Sequence, residues 1–376
     1  MRVIMTGGGT GGHIYPAVAI ADEIRRRDEN AEILFVGAEI GMEGDLVPKC
    51  GYEITLIPAD GFNRKKLSTN FVAVKRIVQG TFKVKKIIKE FKPDIVIGTG
   101  GYACWPAVKA AAELRIPTVL HESNSYPGMA VRKLQEKVDI ILTNFESTKE
   151  KLSPNANVIN VGNPVRRDCT VLTKSDARAR LGIDSEKFVV LSFGGSLGAE
   201  CLNNAAVDYM QNFAASKEDV ISYHVGGRNY YDDAVEKLEG KKLLENKRNT
   251  LISFTNELPL YMAAADVVIC RAGAMTITEI ARMGKAAIII PSVHVTDNHQ
   301  FINAKSLSDA GAAVLVEEAE LEKQGRISEE LEALYSDPER RIEMSEKVKA
   351  FASEDVEKRI FEAINDLLKN YKKIVK

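Results

Sequence analysis

The sequence predicts an α/β protein made of two doubly wound domains, and three observations carry that prediction. Short β-branched runs alternate with longer amphipathic stretches, and the alternation starts afresh partway along the chain. Strands in both halves end directly in glycine clusters. A length of 376 residues exceeds one ordinary domain and suits two of similar size.

In the first half, VIMT (3–6), EILFVG (32–37), EITLIP (53–58), DIVIGT (94–99), TVLHE (118–122) and IILTN (140–144) read as buried parallel strands. A strand covered on both faces is apolar throughout rather than alternating. PAVAIADEIRRR (16–27) and PAVKAAAEL (106–114) read as helices between them. GNPVRRD (162–168) then breaks the pattern, since Gly–Asn–Pro turns the chain and cannot continue a strand. The second series is FVVLSF (188–193), ISYHV (221–225), TLISF (250–254), VVICR (267–271), AAIIIP (286–291) and AAVLV (312–316). The C-terminal stretch is charged and helical, ending in FEAINDLLKNYKKIVK.

Composition narrows the class. Hydrophobic residues at 45% and charged residues at 27% fit a soluble globular enzyme. Lys plus Arg (51) nearly balance Asp plus Glu (52), so any electrostatic preference is local. Cys50, Cys104, Cys169, Cys201 and Cys270 form no CxxC pair and read as buried small hydrophobes in a reducing compartment. MRVIMTGGG lacks the h-region of a signal peptide, and no apolar run approaches the ~20 residues of a membrane span. The expectation is a cytoplasmic protein without a metal site, since no DxD pair and no His/Cys/acid cluster at ligand spacing occurs.

Three strands run into GGGTGGH (7–13), GTGGYA (98–103) and GGSLGA (194–199). Glycine permits a tight turn and close approach to a ligand, and the next helix offers N–H groups and positive dipole to phosphate. Gly7, Gly9 and Gly12 satisfy GxGxxG, with Glu39 after the next strand, so a dinucleotide-dependent oxidoreductase competes on this motif alone. That reading leaves the second half unexplained. The plain alternative is glycine used only to pack strand against helix. The same device in both halves argues instead for two ligands meeting in a cleft beyond the carboxyl ends of the strands.

Six ordered blocks make the pattern specific: GGGTGGHIYPAVAIADEI, HESNSYPG (121–128), GNPVR (162–166), GGSLGAECLN (194–203), CRAGAMTITEIARMGKAAIIIP (270–291) and DNHQFINA (297–304). Together they resemble the MurG family of lipid II synthases, over most of the chain. The resemblance implies a GT-B fold, two Rossmann-like domains facing across a cleft, and inverting transfer of N-acetylglucosamine from UDP-GlcNAc. The acceptor it implies is the 4-hydroxyl of N-acetylmuramoyl-pentapeptide on undecaprenyl diphosphate (lipid I), at the cytoplasmic face of the membrane. It implies no cofactor, and it leaves room for other cell-wall synthesis proteins as partners. The domains expected are 1–162 for acceptor and membrane, 163–345 for UDP-GlcNAc, and a C-terminal helix in 346–376 packing back on the first domain.

The donor side is expected around AGAMTITEI, where Gly273 precedes a helix starting near Met275–Thr276. Ala274, Met275 and Thr276 offer helix-start N–H groups to the leaving diphosphate. Glu279, one turn on, can accept hydrogen bonds from the ribose hydroxyls, as in the family; its plain alternative is a capping or solvated acid. Ser196 and Arg166 resemble donor-binding positions, with Arg166 suited to phosphate or a uracil carbonyl. Phe254 and Thr255 end a predicted strand, where main-chain groups can read the base. His299 and Gln300 match the family's contacts to sugar hydroxyls.

The acceptor side is expected at Thr10, Gly11 and Gly12 and at GTGGY (98–102). His13 is the leading general base because histidine titrates near neutrality, with helix capping or substrate hydrogen bonding as its alternative. Glu122 is either the base or a group that orients His13, and Asn124 resembles a position on the donor sugar. His224 and His294 are left as structural histidines.

Residues 64–92 are strongly basic in an otherwise neutral chain. Arg64, Lys65, Lys66, Lys75, Arg76, Lys83, Lys85, Lys86, Lys89 and Lys92 interleave with Phe71, Val74, Val78, Phe82, Ile87, Ile88 and Phe91. Such a helix can dock on an anionic leaflet, and a polyprenyl-anchored acceptor requires docking. The plain alternative is a surface helix with its apolar stripe on the sheet. Nucleic acid is a third option that a single basic stretch in a neutral chain supports only weakly, and none is expected.

Overall fold

The computed structural model describes residues 1–61, 70–295 and 298–374. Arg64, Lys65 and Lys66 of the basic stretch, and Asp297, lie outside them. The chain divides into two units, Met1–Arg166 together with the segment from Ser353, and Arg167–Ala352.

The first unit is a seven-stranded sheet of order β3-β2-β1-β4-β5-β6-β7. Its strands are β1 (Arg2–Gly7), β2 (Glu32–Ala38), β3 (Glu53–Ile57), β4 (Ile95–Gly100), β5 (Thr118–Glu122), β6 (Ile140–Thr143) and β7 (Val158–Asn160). All pair in parallel. Val3, Ile4 and Met5 of the central strand are fully buried because helices cover both faces, which is why its sequence does not alternate. The helices are α1 (Gly11–Arg27), α2 (Glu43–Lys49), α3 (Asn70–Phe91), α4 (Cys104–Glu113), α5 (Met129–Leu134) and α6 (Glu146–Lys149). Helix α1 ends in Arg25, Arg26 and Arg27, which suit its negative end, and Glu23 pairs with the last two at 2.7 and 2.6 Å.

The second unit is a six-stranded parallel sheet of order β10-β9-β8-β11-β12-β13. Its strands are β8 (Phe188–Phe193), β9 (Val220–Val225), β10 (Asn249–Ile252), β11 (Val267–Cys270), β12 (Ala286–Ile289) and β13 (Val314–Leu315). Helices α7 (Asp168–Val171), α8 (Lys174–Leu181), α9 (Glu200–Asn212), α10 (Tyr231–Gly240) and α11 (Leu258–Ala264) precede the sheet's return. Helices α12 (Ala274–Met283), α13 (His299–Asp309), α14 (Arg326–Ser336) and α15 (Pro338–Lys349) follow it. Gly284 closes α12 in the left-handed conformation at φ 59°, a position that favours glycine.

The last helix, α16 (Val356–Ile374), belongs to the first unit. It buries Val356, Ile360 and Ile364, the Glu357 carboxylate accepts from Val165 N at 3.0 Å, and the Tyr371 hydroxyl donates to Asp139 at 2.8 Å. The divisions differ from 162/163 and 345/346. Past Gly162 the chain is still tied to the first unit by the Val165–Glu357 bond, so Arg166 stays with it. Residue 345 lies inside α15, whose Met344 and Val348 are buried in the second unit's cores, so the chain leaves that unit only after Ala352.

Candidate active site

In a doubly wound sheet, ligands collect where neighbouring strands send their loops in opposite directions. In the first unit that place lies between β1 and β4, the strands followed by GGGTGGH and GTGGYA. The imidazole of His13 sits there. Its Nδ1 donates to Thr99 O at 2.9 Å, and the Thr99 hydroxyl donates back to His13 O at 2.7 Å. A carbonyl only accepts, so Nδ1 carries a proton, which leaves Nε2 as the nitrogen able to act as base. Gly100, at φ +110°, makes room for the ring: a Cβ there would lie 2.5 Å from His13 Nδ1. Thr10 is the helix's N-cap residue, its carbonyl accepting from His13 N and Ile14 N at 3.1 and 3.2 Å, so α1 begins at Gly11 and Gly12.

A cavity of about 900 Å³ is lined by His13 together with Thr99, Gly100, Tyr102, Glu122 and Asn124 and by the apolar Val74, Val78, Phe82 and Trp105. Glu122 is buried, and both its oxygens are occupied. Oε1 accepts from the backbone and side-chain N–H groups of Asn124 at 3.0 and 3.1 Å, and Oε2 accepts from Gly128 N at 2.6 Å. Of the two roles open to Glu122, its bonds therefore serve the 123–128 loop, and none reaches His13. Arg166 stacks at 4.0 Å on the ring of Tyr15, two residues after His13 in α1, so this expected donor ligand stands in the first unit. Glu39, the acid that would hold a dinucleotide ribose, is paired with Arg76 at 2.9 Å.

The second unit's switch point lies between β8 and β11. Helix α12 starts at Ala274 rather than at Met275–Thr276. Gly273 is its N-cap and offers no side-chain cap, and the first turn carries no acid. Ile277 N is the first to close a helical bond, to Gly273 O at 2.9 Å, so Ala274, Met275 and Thr276 precede the helix's internal ladder. Glu279, one turn further, is buried, and its charge adds to burial in pushing the Cys270 thiol up. The GGSLGA loop leads from β8 and abuts the loop after β9. A Cβ on Gly198 (φ +86°) would lie 2.0 Å from Gly226 O, and Ser196 O accepts from Arg228 N at 3.2 Å.

Strand β10 stops at Ile252, so Phe254 and Thr255 are loop residues rather than a strand end. The Thr255 hydroxyl accepts from Glu257 N at 2.9 Å and shapes that turn, while Arg228 lies over the Phe254 ring at 4.8 Å. His299 opens α13 and is half-buried; the Gln300 side-chain oxygen accepts from Ser292 N at 2.9 Å, tying the helix to the start of the loop after β12. Thus residues from β8, β10, β11 and β12 share the carboxyl edge of one sheet. His224 is elsewhere: fully buried, it accepts from Ser192 at 2.7 Å and donates to Asn203 at 2.8 Å, and burial pushes its pKa down to about 4. His294 is exposed.

Two residues stand out beyond the sequence expectations: Glu43, wholly buried behind the first glycine loop, and Thr99, expected only as part of the 98–102 loop, which locks the His13 ring. A GxG-adjacent strand end such as Thr99 is a signal that could have found the second; burial of Glu43 has no local signature.

Helix α3 carries two apolar faces. Ala73, Ile77, Val84 and Ile88 are buried against the unit, while Phe71 (83% exposed), Val72, Val74, Val78 and Phe82 (70%) are exposed. Among its cations, Arg76 is engaged by Glu39 and Asp60, and Lys85 by Glu113. No helix among the described residues is long and apolar enough to cross a membrane, and no group of three His, Cys, Asp or Glu among them is placed to hold a metal.

The chain matches the glycosyltransferase family 28 N-terminal domain over residues 3–143 and the family's C-terminal domain over residues 189–360. Its relatives include two proteins named UDP-N-acetylglucosamine–N-acetylmuramyl-(pentapeptide) pyrophosphoryl-undecaprenol N-acetylglucosamine transferase. That of Caldanaerobacter subterraneus subsp. tengcongensis is 38% identical over 98% of this chain and 100% of the relative. That of Bacillus subtilis is 37% identical, again over 98% and 100%. Among solved structures, Acinetobacter baumannii MurG aligns with a TM-score of 0.66 at 25% identity, covering 97% of this chain and 99% of that one. The S. aureus MnaA–UDP structure aligns at 0.69 with 14% identity, over 98% and 97%, a likeness of fold alone.

Proposed function

The chain belongs to the MurG family, within glycosyltransferase family 28, and from that premise we propose how its residues divide the family's reaction. The reaction moves N-acetylglucosamine from UDP-GlcNAc to the 4-hydroxyl of N-acetylmuramoyl-pentapeptide on undecaprenyl diphosphate, converting lipid I to lipid II in peptidoglycan synthesis.

The observation that carries our division is the fixed tautomer of His13. With Nδ1–H held by Thr99 O, Nε2 is the basic nitrogen of a residue that borders the cavity. We assign it the acceptor's hydroxyl proton: the O–H bond breaks toward Nε2 as the oxygen attacks the anomeric carbon from the face opposite the diphosphate. The bond from that carbon to the diphosphate oxygen breaks, and UDP leaves with the electron pair. General-base assistance of this kind contributes roughly 10²–10⁴-fold. Thr10, Gly11, Gly12 and the 98–102 loop receive the acceptor's own diphosphate.

The donor belongs to the second unit. Ala274, Met275 and Thr276 at the start of α12 hold the charge that grows on the leaving diphosphate, where helix dipole and N–H groups act together. Glu279 accepts the ribose hydroxyls, Ser196 and Thr255 flank the nucleotide, and His299 and Gln300 read the sugar. Asn124 addresses the transferred sugar, and Arg166 adds positive charge from its seat on Tyr15. Glu122 shapes the loop carrying Asn124.

Transfer of radiolabelled GlcNAc to a lipid I analogue, with EDTA present, tests the reading. Wild-type transfer that survives EDTA, with His13→Ala slowed at least about a hundredfold, supports it. Transfer by His13→Ala at the wild-type rate removes the base assignment.

We further propose that the exposed face of α3 docks on an anionic membrane surface, which makes the protein peripheral to the cytoplasmic leaflet. Phe71, Val72, Val74, Val78 and Phe82 enter the interface while Lys75, Lys83, Lys86 and Lys89 meet acidic headgroups. Sedimentation with anionic vesicles, lost in Phe71→Ser/Phe82→Ser and weak with zwitterionic vesicles, is the expected result.

A further inference from the structure

Glu43 is the least expected side chain near the candidate site. It opens the short helix α2, is 0% exposed and does not border the cavity. Its Oε2 accepts from Gly9 N at 2.8 Å, and its Oε1 accepts from Ala38 N at 2.9 Å, the last residue of β2. Three glycines leave room for this one side chain: Gly8 in the first loop, Gly37 in β2, and Gly41 two residues before it. A Cβ on Gly8 would lie 2.1 Å from Oε1, one on Gly37 2.5 Å from Cγ, and one on Gly41 2.3 Å from Oε2.

The loop so held is pinned from its other side as well. Gly8 N donates to Gly100 O at 3.2 Å, and a Cβ on Gly101 would lie 2.2 Å from Gly8 O. Gly100 in turn is the residue whose missing side chain admits the His13 ring. An unbroken series of close packings therefore runs from the buried carboxylate through Gly8 and Gly9 to Gly100 and the imidazole. Gly9 takes φ +85° along this path. The bond from its N–H to Glu43 turns that peptide inward and fixes the direction in which Thr10 enters α1.

We propose that Glu43 is a positioning residue for acceptor glycosylation: by holding Gly9 N and Ala38 N it sets the glycine loop, and through it the orientation of His13. The inference rests on the reading of this switch point as the acceptor half-site. Displacing a reacting group by about 1 Å can cost on the order of a hundredfold in rate, so the effect is readable without unfolding the protein.

The test is Glu43→Gln, which keeps shape but sets an NH₂ group against one of the two N–H donors. Steady-state kinetics would be run with a lipid I analogue and UDP-GlcNAc, alongside ¹⁵N signals of the His13 ring identified by their loss in His13→Ala. The expected result is a fall of about tenfold or more in kcat/KM for the acceptor, with KM for UDP-GlcNAc within twofold of wild type. The ring should also shift from pure Nδ1–H toward a mixture of tautomers. Unchanged acceptor kinetics and unchanged ring signals, even with a lower melting temperature, overturn the proposal and leave a merely structural carboxylate. If wild type itself fails to transfer, the acceptor reading fails. The ring signals then still decide whether Glu43 orients His13, and unchanged signals overturn that too.

Discussion

At the first unit's switch point, β1 and β4 pass into loops locked together by two bonds between Thr99 and His13, and the group presented is an imidazole held through its Nδ1–H. At the second unit's switch point, β8 and β11 pass into loops without an imidazole, and their charged residue, Arg271, is paired with Glu318. What stands there instead is the uncapped start of α12 with Glu279 one turn in. The same doubly wound topology thus builds a proton acceptor in one place and a seat for negative charge in the other. The sheet supplies the location, and the first turn of the following helix decides the chemistry.

The largest effect that would break this comparison is on turnover. His13→Ala should lower kcat by roughly 10²–10⁴-fold while KM for UDP-GlcNAc stays near wild type. A rise confined to donor KM would place His13 on the wrong side of the division.

The next effect concerns two histidines, one buried in each unit. Burial pushes both His121 and His224 down to about 4 from an ordinary 6.5. The unfolded chain therefore binds protons first as pH falls, and stability present above pH 6.5 is lost progressively down to about pH 4. The loss comes to about 3 kcal/mol for each residue. Trp105, the single tryptophan, lies in the first unit, so its fluorescence during urea unfolding reports that unit. His121→Gln should flatten the pH dependence seen by Trp105, and His224→Gln should leave it in place. If both flatten it equally, the two units do not unfold independently.

A smaller change is expected at Glu279. Glu279→Gln should raise KM for UDP-GlcNAc about tenfold, from weakened charge-assisted bonds to the ribose, with acceptor KM unchanged. Titration with UDP alone gives the same answer without an acceptor.

The smallest effect is a matched pair of glycines. Gly9 and Gly195 both take φ +85°, and a Cβ would meet nothing within 4 Å at Gly195 and only the Tyr102 ring at 4.0 Å at Gly9. Each change to alanine should cost about 1 kcal/mol of backbone strain, measured by denaturation. A much larger loss at Gly9 alone would mean that the first loop is the more tightly bound, as its link to Glu43 suggests.

Much of this architecture is legible in the sequence because parallel strands covered on both faces announce themselves as apolar runs. β8 falls at 188–193 as read, and β5 at 118–122. Edge strands are harder. β7 has three residues, too few for a period, and AAVLV shrinks to Val314–Leu315. His13 was findable because a titratable residue after a glycine cluster is a local signal. The place of Arg166 in the first unit, stacked on Tyr15, is set by tertiary contacts, and no local pattern encodes it. Glu43 looks like any exposed acid at a helix start until the fold brings Gly8 and Gly37 against it, beside its near neighbour Gly41.

The return of α16 to the first unit bears on how the protein is made. Val356, Ile360 and Ile364 are buried there, and Glu357 caps Val165 N, so the unit begun by the first 166 residues is finished by the last ones. A ribosome that has just released Arg166 still has residues 167–376 to add, about 10–40 s of synthesis at about 5–20 residues per second. Throughout that interval the nascent first unit lacks its closing helix and exposes the apolar strip meant for it. The intervening unit, continuous in sequence, can fold on its own during the wait. Nascent-chain quality control would therefore meet an open sheet beside a finished one, and truncation near the C-terminus should harm the domain made first more than the domain made last.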